Sequence, residues 1–439
     1  MRRHDYLEVL RKTALSSGTE DSGSIYAWFR LGCYRRVIEI ADQRPPRSAH
    51  DICAVAVSLA AVGRFRDSET FVTGHLTKLR RRPRRAVETA QGIVRFMPAL
   101  ALQICDGIPA ARSLRSAAHF ALGEVDQARL ELRGVGTIDR GALLAGHHLL
   151  VANLSDDPRL KIKAVNRQLS SAGLEGLILD QQEQGLVLEN LRNPQVTACE
   201  AGPLVSVIVP AFDAADHLRM SVTSLLQQSY RNLEIIIVND GSCDGTGQIA
   251  EELSASDDRV RVLHFERNRG AYAARNAGLR AATGSFVTVH DSDDFAHCRK
   301  IERQVAPLMR DSRMVFTTSD LVRVSAEGLL ARREVYPLQR MNSSSLTFRR
   351  DAVLRDCGLW EEERVGADGE FLFRLHRIYS EHQRARLRQL LTFAADRAGS
   401  LTALVPNGAP GVPADPRRLD YTEAYTLRWL REGWSDRHG

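Results

Sequence analysis

The chain has 439 residues, and a length of this order predicts two or three domains rather than a single core. Apolar residues make up 44% and charged residues 26%, a balance that excludes disordered and fibrous proteins. The net charge at neutral pH is +6, and the whole excess of basic over acidic residues lies before residue 200. We therefore expect two folded domains, of which the first is basic.

The amino terminus and the cysteines indicate the cellular compartment. The first residues are basic but lack the apolar segment of a signal peptide, and no run of about 18 apolar residues occurs. The seven cysteines are odd in number and scattered, with no partner at metal-ligand spacing. These features predict reduced thiols and a cytoplasmic protein.

Glycines recur about every 30 residues in the first part of the chain, at Gly32, Gly63, Gly92 and Gly123. Each lies between two stretches with the apolar period of a helix, which predicts stacked helix-turn-helix pairs. The pattern resembles the tetratricopeptide repeats, although its period is shorter than their usual ~34 residues. An irregular helical bundle is the alternative. We expect an all-helical domain over residues 1–192 that offers a surface for a protein partner or for self-association.

Six of the eight residues from Lys78 to Arg85 are basic. Such a run can contact the anionic head groups of a membrane, and it can equally be a solvated helix end before Pro83. No aromatic residues interleave with the basic ones, so nucleic acid is not an expected partner. The first hypothesis predicts peripheral contact with the inner face of a membrane.

The pattern changes after the helical part of the chain. Residues 193–203 are rich in turn formers and predict a linker. Over residues 204–405 short apolar runs alternate with helical segments, which predicts an α/β domain with a mainly parallel sheet. Residues 406–439 predict a proline-containing linker and a final helix. The expected strands are Val205–Val209, Leu233–Val238, Val260–His264 and Phe286–His290, and the expected helices between them are Ala214–Gln228, Thr246–Ser254 and Ala271–Ala282.

Ligands of parallel sheets bind beyond the carboxyl ends of the strands, where this chain carries acidic and small residues. Asp240 follows the second strand in a glycine-containing segment, which a turn alone explains in part. Asp291, Asp293 and Asp294 follow the fourth strand, and their mutual repulsion requires a compensating cation. Mg²⁺ or Mn²⁺ takes such oxygen ligands together with a substrate diphosphate, so the cluster predicts a metal site. A solvated acidic turn is the alternative.

Four segments in this order resemble the motifs of family 2 glycosyltransferases, which have the GT-A fold, a Rossmann-like fold of nucleotide-diphospho-sugar transferases. The segments are Val207-Ile-Val-Pro-Ala-Phe212, Asn239-Asp-Gly-Ser-Cys-Asp-Gly-Thr246, Asn268-Arg-Gly-Ala-Tyr-Ala-Ala-Arg-Asn-Ala-Gly278 and Asp291-Ser-Asp-Asp294. The resemblance implies that Asp291 and Asp293 hold the metal, and Asn239 stands where the family commonly has Asp. The donor-binding residues that it implies are Pro210, Ala211, Phe212, Asp240, Arg275, Asp291 and Ser292.

Inverting members of this family carry a catalytic Asp at the start of a later helix, usually after a Glu. In Val365-Gly-Ala-Asp-Gly-Glu-Phe-Leu-Phe-Arg374 the resemblance assigns this role to Asp368, while Ala367 replaces the Glu and Glu370 is the alternative base. An Asp at a helix start can also be an ordinary N-cap. Nearby, Trp360 either stacks on a sugar or packs in the core.

The resemblance thus implies an inverting glycosyltransferase that moves a hexose or N-acetylhexosamine from a UDP-sugar to a glycan or lipid-linked acceptor, as in bacterial surface polysaccharide synthesis. One general base suffices for inversion. The alternative is a scaffold whose repeats hold a partner and whose GT-A domain binds a nucleotide sugar with weak turnover or none. A dinucleotide-dependent enzyme is not expected, because no GxGxxG motif follows the first strand.

Overall fold

The computed structural model describes residues 6, 8–10, 25–133, 140–330, 335–397 and 411–431. These residues divide between two compact units. A helical unit comprises Met1–Ile138, Arg333–Pro337 and Ala398–Gly439, and a sheet unit comprises Asp139–Arg332 and Leu338–Arg397. In the described ranges, no helix combines the length and the apolar character needed to cross a membrane.

The helical unit is built from consecutive pairs of helices. Gly32, Gly63 and Gly123 form turns inside three of the pairs, with φ of 87°, 87° and 80°, a left-handed conformation that favours glycine. The helical character of the first domain is thereby confirmed. The helices are α1 (Ile25–Leu31), α2 (Tyr34–Gln43), α3 (Ala49–Ala61), α4 (Phe65–Arg80), α5 (Pro83–Ile93), α6 (Pro98–Cys105), α7 (Arg112–Ala121), α8 (Val125–Leu132) and, near the end of the chain, α18 (Pro416–Arg431).

The prediction that Gly92 lies between two helices is wrong, because this residue lies within α5. A Cβ atom at this position would come within 2.6 Å of Cγ2 of Val57 in α3. The glycine therefore allows α3 and α5 to pack closely rather than to turn. The turn of this pair follows at residues 94–96.

The final helix packs within the helical unit. The backbone N–H of Arg35 donates to Oε1 of Glu423 (3.0 Å), and its guanidinium pairs with Asp420. Just before α18, the N–H of Ala414 donates to the carbonyl oxygen of Ala61 (2.8 Å). The predicted final helix is confirmed, whereas residues 406–410 of the predicted linker lie outside the described residues.

The sheet unit confirms the predicted α/β architecture. Its strands are β1 (Ile178–Leu179), β2 (Leu191–Arg192), β3 (Val205–Ala211), β4 (Leu233–Asn239), β5 (Val260–His264), β6 (Phe286–Val289), β7 (Phe295–Ala296), β8 (Phe316–Ser325), β9 (Arg340–Met341), β10 (Thr347–Arg349) and β11 (Arg384–Asp396). Its helices are α9 (Arg140–Leu144), α10 (His147–Asn153), α11 (Pro158–Ser170), α12 (Ala215–Leu226), α13 (Thr246–Ser256), α14 (Ala271–Ala281), α15 (Lys300–Arg310), α16 (Arg350–Asp356) and α17 (Ala367–Ile378).

The order of strands in the main sheet is β5-β4-β3-β6-β10-β8-β11-β7, and β9 pairs with β8. The four strands from β5 to β6 are parallel, and β10 runs antiparallel to both of its neighbours. Every residue of β3 and β4 is buried, as the continuous apolar runs predict for central strands of a parallel sheet. The carboxyl ends of β3, β4 and β6 therefore lie at one edge of the sheet.

The boundary between the two units differs from the expected one, because residues 139–203 belong to the sheet unit. The side-chain amide of Asn153 exchanges two hydrogen bonds of 2.8 Å with the backbone of Leu330. In the expected linker, the side chain of Asn193 donates to the carbonyl of Ala296 (3.0 Å) and accepts from the N–H of Cys298 (2.9 Å). These long-range hydrogen bonds bind the segment to the sheet, although its composition is that of a linker.

Two glycines in helix interiors allow a matched test of this packing. Gly92→Ala should lower the urea midpoint of unfolding, because overpacking against the stiff side chain of Val57 costs about 1–3 kcal/mol. Gly74→Ala in α4 should raise the midpoint slightly, because nothing lies within 4 Å of the new methyl group and alanine has the higher helix propensity. Equal shifts for both variants would contradict the close approach of α3 and α5.

Candidate active site

The loops after β3 and β4 are joined by hydrogen bonds. Asp213, at φ 45°, accepts from the N–H of Cys243 (3.0 Å), and its own N–H donates to Oγ of Ser242 (3.1 Å). Asp244 accepts from the N–H of Ala215 (3.1 Å). These two acidic residues therefore hold the loops together. Beside them, Pro210 and Ala211 are buried in β3, whereas the side chain of Phe212 is exposed at 45%.

Asp240 is buried at the end of β4 and faces the start of α14. Its two carboxylate oxygens accept from the N–H groups of Arg269 (2.7 Å) and Gly270 (2.8 Å). Burial raises the pKa of Asp240, and these backbone hydrogen bonds oppose the rise. The carboxylate of Asp240 thus has a fixed orientation.

Asn239, which departs from the family pattern, uses both ends of its amide. Its Nδ2 donates to Nδ1 of His264 (3.1 Å), and its Oδ1 accepts from the N–H of Ser242 (3.1 Å). An Asp would lack the N–H group for the first contact. The substitution therefore has a local structural explanation.

The three carboxylates after β6 lie together, as the sequence predicts, and each has a different partner. Arg275 donates to Asp291 through Nη2 (2.8 Å), and Arg397 donates to Asp293 through Nε (2.9 Å). Asp294 accepts from a backbone N–H, and its pKa is raised well above the usual range, chiefly by burial and then by the charges of Asp293 and Asp291. Two arginines thus offset part of the repulsion, and Ser292 is buried among these residues.

A buried lysine and histidine support this acidic turn, and the sequence did not single them out. The ammonium of Lys300, fully buried at the start of α15, donates to Nδ1 of His290 (2.9 Å). Nε2 of His290 donates in turn to the carbonyl of Asp294 (3.1 Å). Burial lowers the pKa of Lys300 to about 8. The signal available in the sequence was a lysine on the apolar face of α15.

Asp368 lies in the first turn of α17, and two hydroxyl groups hold its carboxylate. Tyr272 donates to Oδ1 (2.8 Å) and Ser343 donates to Oδ2 (2.7 Å). The next residue, Ser344, donates to Oδ2 of Asp291 (3.4 Å). Two adjacent serines therefore contact Asp368, to which the family resemblance assigns the role of catalytic base, and Asp291, to which it assigns a role in binding the sugar donor.

Arg275 lies between these groups with part of its guanidinium unpaired. It is buried, its guanidinium carbon is 5.1 Å from the centre of the Tyr272 ring, and it donates to Asp291. In the described part of the chain, its Nε and Nη1 have no hydrogen-bond partner. Since a buried donor without an acceptor is costly, these atoms favour an anionic ligand at this position.

Glu370 does not lie with Asp368, although it is only two residues away. It is buried, and its oxygens accept from Nε (3.1 Å) and Nη2 (2.7 Å) of Arg374. Trp360 is also buried, where it stacks on Phe371 at 4.3 Å between ring centres. Both residues are therefore part of the core beneath α17, and the alternative in which Glu370 acts as the base finds no support in the geometry.

A second group of potential metal ligands lies away from the acidic turn. Glu175, His297 and Cys298 have ligand atoms within 4.8 Å of one another. However, Nε2 of His297 donates to the carbonyl of Glu175 (2.9 Å), and its Nδ1 accepts from the N–H of Arg299 (3.2 Å). The guanidinium of Arg299 also pairs with the Glu175 carboxylate, so the group is a structural contact rather than a cation site.

The α/β sheet and the acidic residues at the ends of its strands agree with the predicted GT-A fold. Residues 206–355 match the model of glycosyl transferase family 2. This part of the sheet unit is therefore similar to family 2 glycosyltransferases.

Individual relatives resemble this domain over part of their length. An uncharacterised glycosyltransferase of Haemophilus influenzae is 37% identical over 126 residues, which are 29% of this chain and 50% of the relative. Glycosyltransferase GlyG of Streptococcus pneumoniae is 43% identical over 99 residues, 23% of this chain and 33% of the relative. The chain thus spans half or less of these two relatives.

Among solved structures, TarS of S. aureus in complex with UDP-GlcNAc aligns with 21% identity and a TM-score of 0.38. The alignment covers 45% of this chain and 59% of the TarS chain.

The contrast between the two carboxylates of α17 can be tested by stability. Glu370→Gln should lower the thermal midpoint strongly, because it leaves the buried guanidinium of Arg374 uncompensated, at a cost of about 3–5 kcal/mol. Asp368→Asn should have a smaller effect, because the hydroxyl groups of Tyr272 and Ser343 that donate to Asp368 are neutral and can also donate to an amide oxygen. Calorimetry of both variants measures the difference, and a larger loss for Asp368→Asn would contradict these assignments.

Proposed function

We propose that this chain is an inverting glycosyltransferase that moves a hexose or N-acetylhexosamine from a UDP-sugar to a glycan or lipid-linked acceptor, in bacterial surface polysaccharide synthesis. One observation carries the proposal: Asp291 and Asp368 are contacted by the adjacent serines 344 and 343, beside the unpaired donors of Arg275. A UDP-sugar bound at Asp291 would therefore lie close to Asp368, whose carboxylate can act as the base.

The donor occupies the edge of the sheet beyond β3, β4 and β6. The exposed ring of Phe212 offers an apolar contact for the base or ribose, and Asp240 is fixed with lone pairs that can accept an N–H of the base. The unpaired N–H groups at Nε and Nη1 of Arg275 can donate hydrogen bonds to a phosphate oxygen of the UDP-sugar. The other residues proposed to border the donor are Pro210, Ala211, Asp291 and Ser292.

Asp291 and Asp293 are the proposed ligands of Mg²⁺ or Mn²⁺. Their hard carboxylate oxygens, crowded into one acidic turn, fit a divalent cation. The bound cation would neutralise the negative charge that develops on the departing diphosphate.

Asp368 is the proposed general base. It takes the proton of the acceptor hydroxyl as this oxygen attacks the anomeric carbon from the face opposite the diphosphate, and the configuration inverts. The hydroxyls of Tyr272 and Ser343 hold the carboxylate, which preserves its direction during the reaction.

The alternative of a scaffold with little turnover rests on Ala367, which replaces the usual Glu. Ala367 is fully buried, and Asp368 keeps two hydrogen-bond donors without it. The geometry therefore favours the enzyme, and the next experiment separates the two functions.

Purified protein with Mn²⁺ and a panel of UDP-sugars should release UDP. Asp368→Asn should lower turnover about 100- to 10,000-fold, the usual contribution of a general base, and should leave the dissociation constant of UDP nearly unchanged. Coupled detection of UDP and calorimetric titration measure the two quantities. Binding of UDP-sugars without release of UDP from any of them, by the wild-type protein, would favour the scaffold.

The helical unit is the proposed contact with an anionic membrane surface. Lys78 donates to the carbonyl of Arg47 (2.9 Å), so the connection before α3 and the connection before α5 lie side by side. Within the described residues, the exposed guanidinium groups at this edge have no carboxylate partner. They belong to Arg47, Arg81, Arg82 and Arg84.

Two double variants at opposite ends of α4 test this contact. Arg81→Glu/Arg82→Glu should weaken binding to vesicles that contain phosphatidylglycerol about 30-fold or more, since each arginine near the surface contributes about 1 kcal/mol. Arg64→Glu/Arg66→Glu, which also reverses two exposed charges, should have little effect. Cosedimentation with phosphatidylglycerol and phosphatidylcholine vesicles measures both, and equal losses would show that only net charge matters.

A further inference from the structure

The ion pair between Arg397 and Asp293 occupies a proposed metal ligand. Nε of Arg397, directly after β11, lies 2.9 Å from Oδ2 of Asp293. The end of β11 is fixed against the acidic turn, because the N–H of Ala395 donates to Asp294 (3.1 Å). The guanidinium therefore lies where its charge offsets the charge of the carboxylates.

The two arginines of the cluster differ in how firmly they are held. The side chain of Arg275 is 6% exposed and its partner Asp291 is 34% exposed. In the other pair the arginine is the more exposed partner, with 33% for Arg397 and 17% for Asp293. Arg275 is thus enclosed by its surroundings, whereas about a third of the Arg397 side chain is open to solvent.

We propose that Arg397 is an exchangeable counter-ion, which Asp293 gives up when the divalent cation binds. This inference rests on the proposed function, because it assumes that Asp293 is a metal ligand. Two cations that need the same carboxylate oxygen compete, so the ion pair lowers the affinity of the site for metal alone. In the absence of the metal, the same pair limits the repulsion among the three carboxylates.

The exchange couples the metal to the donor. A guanidinium released from Asp293 lies close to the proposed diphosphate, whose oxygens are acceptors for it. The donor thus stabilises the released position of Arg397 and raises the affinity for the metal, and by linkage the metal raises the affinity for the donor to the same extent. Free metal would bind weakly, and metal with UDP would bind tightly.

Titration with Mn²⁺ alone, followed by electron paramagnetic resonance of the free ion, tests the exchange without turnover. Arg397→Gln should bind Mn²⁺ about threefold or more tightly than the wild type, as expected when a partly exposed competing ion pair is removed. Arg397→Lys should remain close to the wild type, because it keeps the charge. Saturating UDP should reduce the difference in Mn²⁺ affinity between Arg397→Gln and the wild type, because the diphosphate stabilises the released position of Arg397 in the wild type.

Arg388→Gln is the matched control, because it removes one exposed charge from the same strand without breaking an ion pair among the described residues. It should bind Mn²⁺ like the wild type. Equal or weaker binding by Arg397→Gln overturns the exchange and assigns Arg397 a purely structural role. If in that case the wild-type protein still releases UDP from a UDP-sugar, the proposed function holds and only the exchange of Arg397 is excluded. If neither protein binds Mn²⁺ with or without UDP, both the exchange and the proposed metal site fail.

Discussion

The repulsion among the three carboxylates after β6 is the constraint around which the site is arranged. Asp291 is paired with a buried arginine and Asp293 with a more exposed one, whereas burial and the two neighbouring charges raise the pKa of Asp294 well above its usual range. Beneath them, the ammonium of Lys300 is joined to the turn through His290. Three neighbouring carboxyl groups repel one another and are unfavourable unless a ligand compensates their charge. The cluster therefore suits a site for a divalent cation and a diphosphate.

One helix, α14, connects this charge to the rest of the site. Its N-terminal backbone holds the carboxylate of Asp240, and one face carries Tyr272, Arg275 and Asn276, which lie three and four residues apart. On another face, Gly278 allows the helix to approach β3, since a Cβ atom there would come within 2.4 Å of Ile208. Six of the eleven residues from Asn268 to Gly278 make these contacts, which explains why the segment is recognisable in the sequence.

The boundary between the two units could not be predicted from amino-acid composition alone. The segment 193–203 has the composition of a linker, yet the side chain of Asn193 is hydrogen-bonded to the backbone of Ala296 and Cys298. Similarly, Gln168 in α11 donates to Gln339 (2.8 Å), which donates to the buried carboxylate of Asp320 (3.1 Å). Buried amides and carboxylates require partners, and these partners come from distant parts of the chain.

The sequence by itself determined the α/β alternation, the helical pairs, and the acidic residues at the strand ends, because apolar periodicity and turn composition are local properties. The tertiary structure alone decided which partner each carboxylate has. The hydrogen bond between Tyr272 and Asp368 spans 96 residues, and that between Arg397 and Asp293 spans 104. Likewise, Asp368 and Glu370 look equivalent in sequence. Side chains two residues apart on a helix point in different directions, so Asp368 faces the site and Glu370 faces the core.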